Sequence, residues 1–284
     1  MSAAPIAVET SVEIWSGKDR RDENFPVGSA LIRPDLRRHV HAFYEFARNA
    51  DDISDSAQLP AEEKVARLDA MEAVLRGERD DALSPSAAGL RASLAETGVT
   101  PRHSRDLLIA FRRDATKLRY ANWDELYDYC RYSAMPVGRH VLDLHGEDKE
   151  THPPSDALCT ALQVLNHLQD CRADFFNLER SYLPEDWLAE NDATLDELAG
   201  RTASPGLRRV FNLMLERVDR LNALAIGLPR RTRSRRLRLE TAVIVGLSRH
   251  LCARLKREDP VARRVKLRKT DIAASALAAL RFLP

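Results

Sequence analysis

The sequence is poor in the residues that staple, interrupt or stack a chain. Its four cysteines (Cys130, Cys159, Cys171 and Cys252) form no CxxC pair and no regular framework. That excludes a disulfide scaffold and implies reduced, mostly buried thiols in the cytoplasm. The eight histidines supply no HExxH and no other zinc spacing. With 11 glycines and 14 prolines in 284 residues, and little strand-type alternation, helices should dominate. No apolar run approaches a spanning helix. The opening MSAAPIAVET lacks the basic start and apolar core of a secretory signal. A net charge of +1 and 6% aromatics argue against nucleic acid as a partner.

What is present is the composition of a folded protein, 44% hydrophobic and 31% charged. Residues 1–22 read as a flexible N-terminal segment, and 23–284 as one all-helical domain without a linker. Leu36, Val40, Phe43, Tyr44 and Ala47 recur at helical spacing after Pro34, which suits a first helical turn. Pro60 opens AEEKVARLDAMEAVLRG, and residues 77–104 read as short helices and turns. Helices are expected over 104–119, 123–145, 205–228 and 233–258, with a short one after Thr270. Ser155 or Asp156 is the expected cap of DALCTALQVLNHLQD. Pro136 should kink the helix that carries it.

Two of these helices carry matching polar rows. Tyr44, Arg48, Asp51 and Asp55 are spaced four, three and four apart; Gln163, Asn166, Asp170 and Asp174 are spaced three, four and four. Such steps align side chains along one helix side. Leu158, Leu162, Leu165 and Leu168 crowd the second row, so its acids border packed core. Paired carboxylates there repel one another and lose hydration unless a cation compensates. Mg²⁺ is a hard ion that binds one or two carboxylates together with substrate phosphates. Two such rows across a cavity would hold several ions against one diphosphate and stabilise it as a leaving group. Chance alone supplies roughly six i,i+4 acid pairs in a chain with 43 acids. Most such pairs are solvated helix faces, and Asp124/Asp128, with the i,i+3 pair Asp69/Glu72, are assigned to that kind. Two acid pairs with polar residues on the same row are stronger evidence than either alone.

The wording around the rows goes further. RNADDISD at 48–55, YCRYSAMPVG at 129–138, NHLQDCRAD at 166–174 and YLPEDWL at 182–188 closely resemble the squalene/phytoene synthase family, from about Glu23 to Lys269. The resemblance implies an all-α isoprenoid synthase-type helical bundle with a central cavity. It implies metal binding by Asp51, Asp55, Asn166, Asp170 and Asp174. It places Phe25, Tyr44, Arg48, Ala134, Gln163, Tyr182 and Arg264 at the substrate, and gives Tyr129 a role in ionisation and proton transfer. NFPVGS, YCRYSAxPVGR and YLPxDWL are most similar to the family's bacterial hydroxysqualene synthase branch. That branch ionises presqualene diphosphate, rearranges the cation and lets water capture it. The implied cofactor is Mg²⁺, with NADPH not expected. Tyr129 is the first candidate to position the water and Asn24 the second. An alternative is a head-to-head condensing synthase acting on farnesyl diphosphate to give presqualene diphosphate, squalene, dehydrosqualene or phytoene. A non-catalytic assembly protein would be expected to have lost acids, and none is missing.

RRTRSRRLRLE at 230–240 reads first as a solvated helix start salted by nearby acids, and second as a contact for anionic lipid. The expected setting is cytoplasmic, with peripheral contact at the inner membrane face and pathway enzymes as partners. Trp15, Trp123 and Trp187 read as packing or rim residues. His39 and His41 are placed on a polar helix side, and Cys171 is read as inert.

Overall fold

The computed structural model describes residues 11–14 and 32–282. Phe25, Asn24, Trp15 and nearly all of the segment 1–22 lie outside them. The chain groups into two compact units, one holding residues 38–115 with 11–14, the other 32–37 and 116–282.

In the first unit, α1 (Arg37–Asp55) buries Val40, Phe43, Phe46, Ala50 and Ile53, a stripe with helical spacing. It begins three residues after Pro34, which lies in a preceding turn rather than in the first helical turn. α2 (Ala61–Arg76) starts after Pro60 with Glu62 and Glu63 in its first turn, where acids suit the helix dipole. It stops at Gly77, whose φ of +77° supplies the left-handed cap. α3 (Pro85–Thr97) is capped by Ser84, which accepts from the Ala87 N–H, and α4 (Arg102–Thr116) completes the unit.

Two polar assignments are corrected here. Glu72 is buried, not solvated: Arg76, Arg105 and Arg112 all donate to its carboxylate, at 2.8, 3.0 and 2.7 Å. Burial alone would raise its pKa, but the three guanidinium groups hold it below the usual value. His39 is also buried, with Nδ1 at 2.8 Å from Ser93 Oγ on α3. An exposed-looking sequence position became interior because a neighbouring helix covers it.

In the second unit, α5 (Trp123–Ser133) and α6 (Met135–Leu144) form where one kinked helix was expected. The chain breaks at Ala134, and Pro136 sits in the first turn of α6, where its missing N–H leaves no bond unmade. α7 (His152–Leu178) starts earlier than expected. Pro153 and Pro154 occupy its first turn, so neither Ser155 nor Asp156 is the cap. Asp156 instead accepts both prongs of Arg139 on α6, at 2.8 and 2.6 Å. α8 (Glu185–Glu190), α9 (Pro205–Ala225), α10 (Leu228–Arg231), α11 (Arg235–Leu255) and α12 (Lys269–Ala279) follow. α7 packs between α6 and α9 and also touches α5 and α11. Leu142, Leu158, Ala225, Leu228, Leu237 and Val245 form one core cluster among these helices. Trp123 and Trp187 stack with ring centroids 5.8 Å apart, which fits packing. Among the described residues the only β-type backbone pairing is an isolated bridge between Tyr120 and Pro184.

Candidate active site

The first acidic row lies on the last turns of α1. Asp51 and Asp55 are half-buried, while their neighbours Asp52, Ile53 and Ser54 are buried. Arg48 forms an ion pair with Asp51 at 3.0 Å and donates to Asp52, whose side chain is only 2% exposed. Arg48 is therefore anchored by its own helix, and Asp52, passed over in the sequence, is the anchor. Tyr44 lies half-buried one turn before it.

The electrostatics of this row are unusual. Asp51 is pushed up to about 8: burial is the largest cause, followed by the Asp55 charge. Arg48 pulls the other way, while Asp114 and Asp52 add to the repulsion. Asp114, buried on α4, was not found by sequence reasoning; a lone acid after the apolar LLIAF run was its signal. At Asp51, burial and the neighbouring acids thus outweigh the pull of Arg48. A carboxylate disfavoured in this way is one that a bound cation would stabilise.

The second row lies on α7. Gln163, Asn166, Asp170 and Asp174 are all half-buried, whereas Val164, Leu165, His167, Leu168, Gln169 and Cys171 are buried. The row is thus the partly open side of an otherwise packed helix. Asp170 receives Arg264 side-on through Nε and Nη2, the latter at 2.8 Å. Next to it, Gln169 donates to the Val265 carbonyl. The 264–265 segment is therefore clipped to α7 at two successive residues. Arg264, expected at the diphosphate, spans an acid of the row.

An aromatic cluster adjoins this row. Tyr129 is buried, with its ring centroid 5.4 Å from Tyr120 and 5.5 Å from Tyr182. Tyr182 stacks on His167 at 3.4 Å, and His167 lies 3.2 Å from the Gln163 amide. Tyr182 is thus linked to Gln163 of the row through His167. Burial, and then the charge of Arg180, push His167 down to about 3, so its imidazole is neutral at physiological pH. Tyr120, His167 and Arg180 were not singled out in the sequence. Their only local signal is polar character within apolar surroundings. Ala134 is buried at the α5–α6 break, within the same unit. Cys171 is inert as expected, its thiol pushed up to about 12 chiefly by burial. All four cysteines are thiols.

Among the described residues, no three His, Cys, Asp or Glu side chains gather closely enough to hold a metal by themselves. The donors come in pairs, which suits an ion that completes its shell with phosphate oxygens. A pH dependence follows. The folded-state pKa of Asp51 lies above the ordinary 3.8, so the folded chain retains that proton between about 4 and 8. Metal-free stability should fall as pH rises through this window. A Mg²⁺ ion bound by Asp51 would have to displace the proton, so its affinity should rise by up to about tenfold per pH unit until about 8 and then level off. Calorimetric titration in buffers of different ionisation enthalpy would show the proton release; a flat affinity from pH 6 to 9 would contradict this assignment.

The helices and paired acidic rows define an all-helical isoprenoid-synthase type of protein. Residues 18–271 match the squalene/phytoene synthase family. The chain belongs to that family and is an enzyme of it. The hydroxysqualene synthase of Rhodopseudomonas palustris is 44% identical, covering 94% of this chain and 91% of its own. That of Zymomonas mobilis is 43% identical, covering 93% and 89%. Among solved structures, squalene synthase HpnC from Alicyclobacillus acidocaldarius has a TM-score of 0.71 at 34% identity, over 81% of this chain and 87% of its own. A dehydrosqualene synthase aligns with a TM-score of 0.77 over 92% of both chains; at 18% identity it shows the shared fold alone.

Proposed function

We propose that this enzyme converts presqualene diphosphate and water to hydroxysqualene and diphosphate, with Mg²⁺ and without NADPH. The observation that supports the diphosphate chemistry is the Asp51–Asp55 pair, where burial and mutual repulsion outweigh the pull of Arg48 on Asp51. The 43–44% identity to proteins named hydroxysqualene synthase favours this substrate and product within the family.

In this reading Asp51 and Asp55, with Asn166, Asp170 and Asp174, hold the metal, and Tyr44, Arg48, Gln163 and Arg264 meet the diphosphate. Bound Mg²⁺ would supply positive charge to the departing diphosphate. The C–O bond to diphosphate breaks with both electrons leaving on oxygen, and the C30 cation rearranges. Buried aromatic and aliphatic side chains keep bulk water from it. One water oxygen then bonds to carbon and loses a proton. Tyr129 positions that water, supported by its burial among Tyr120, Tyr182 and neutral His167. Lipid-soluble substrate and product favour action from the cytoplasm at the inner membrane face, beside other enzymes of the route.

Purified chain with Mg²⁺ would be given presqualene diphosphate or farnesyl diphosphate separately, with and without NADPH, and the products read by mass spectrometry. Hydroxysqualene from presqualene diphosphate alone is expected. Turnover confined to farnesyl diphosphate would replace this assignment with a condensing synthase.

A further inference from the structure

α12 lies outside both acidic rows and is built unlike the other helices. From Ile272 to Leu280 it reads IAASALAAL, without one charge. Its buried positions are Asp271, Ser275 and Ala279, four apart, so it rests on one narrow stripe. Ser275 fills the space over Gly246 of α11, where a Cβ would lie 2.8 Å from its Oγ. The remaining surface is apolar and uncovered: Ile272 is 50% exposed, Leu277 71% and Leu280 52%. A helix in water normally turns charge outward and keeps apolar residues on the packed side. α12 does the reverse.

Basic groups border this surface. Just past Leu280, Arg281 and Phe282 meet Arg230 and Arg238 around a recess of about 400 Å³ with no acid in its lining. Along the side of α12, Arg249 of α11 and Arg257 just beyond that helix share a second cavity, about 650 Å³, with Ala274, Ala278 and Arg281. Asp219, the acid there, is ion-paired with Lys256. The arginine run is salted only in part: Arg233 reaches Asp148 at 3.1 Å. Among the described residues, Arg230, Arg235, Arg236, Arg249 and Arg281 show no carboxylate partner.

We infer that the outer face of α12 and the Arg230/Arg238/Arg281 recess form a docking surface for an anionic lipid bilayer. The leucines and isoleucine enter the headgroup–acyl boundary, and the guanidinium groups meet lipid phosphates. Charge selects this occupant. Nucleic acid would leave the apolar helix face unused, and a second copy would bring the same positive cluster rather than the negative one required. No described helix is long and apolar enough to cross a membrane, so the contact is interfacial. The inference is independent of the substrate assignment above.

The full-length chain would be sedimented with vesicles of phosphatidylcholine alone or mixed with phosphatidylglycerol. Pelleting with the mixed vesicles is expected, weakening as salt is raised. Arg230→Gln and Arg281→Gln should each lower the partition constant by about fivefold, roughly 25-fold together. Leu277→Ser combined with Leu280→Ser should lower it tenfold or more. These positions are exposed, so helical content by circular dichroism and turnover of detergent-dispersed substrate should match the parent chain. A parent chain that stays in the supernatant with mixed vesicles would overturn the inference. So would variants that pellet like the parent. If light scattering shows a parent dimer that Leu277→Ser dissociates while vesicle binding stays unchanged, the face joins two copies and the inference fails.

Discussion

Replacing Asp51 or Asp170 by Asn is expected to cut turnover by about 10²-fold or more while leaving the helices intact. Asn keeps the shape and an oxygen but removes the charge that an Mg²⁺–diphosphate complex needs. The stability readouts should differ between the two variants, and that difference separates a metal role from a structural one. Asp51 is half-buried and repelled by Asp55 and Asp114, with Arg48 pulling the other way. Removing its charge should leave the metal-free melting temperature unchanged or raised at pH 8, while Arg48 retains Asp52. Asp170 shares a partly open pair with Arg264, their side chains 29% and 38% exposed. Its loss should cost at most about 1 kcal/mol. Activity surviving in both variants, measured at saturating Mg²⁺, would remove the acids from the mechanism.

A large effect on stability is expected at Gly138. A Cβ there would lie 2.3 Å from Ser155 Oγ and 2.7 Å from Cys159 Sγ, two short side chains of α7. Rotating Ser155 away still leaves Cys159. Gly138→Val should therefore push α6 off α7, at a cost of about 1–3 kcal/mol and several degrees in melting temperature. Because α7 carries the second acidic row, activity should fall with it. Gly89 of α3 is the contrast, with nothing within 4 Å of an added Cβ. Gly89→Ala should be neutral or stabilise by up to about 1 kcal/mol, from helix propensity alone. Equal melting temperatures for the two variants would show that the α6–α7 approach is looser than described.

By itself, the sequence determined most helices and both acidic rows, because these are local patterns. Residues three and four apart share a helix side wherever that helix lies. The half-buried Gln163–Asp174 row follows the spacing read from the sequence. Local chemistry was also enough to assign reduced, mostly buried thiols to the scattered cysteines.

Partner choice was decided only by tertiary structure. Arg264 and Asp170 are 94 residues apart, and no local period encodes their pairing. Glu72 looked like one member of a solvated pair until α4 brought Arg105 and Arg112 to it. The helix break at Ala134 is sharper than a proline kink, and α7 starts at His152, before its expected cap. The apolar outer face of α12 was equally illegible. IAASALAAL fits a buried helix as well as an uncovered one, and only the packing of its neighbours decides which side meets solvent. Helical periodicity is local, whereas burial and charge pairing depend on residues that folding brings from elsewhere in the chain.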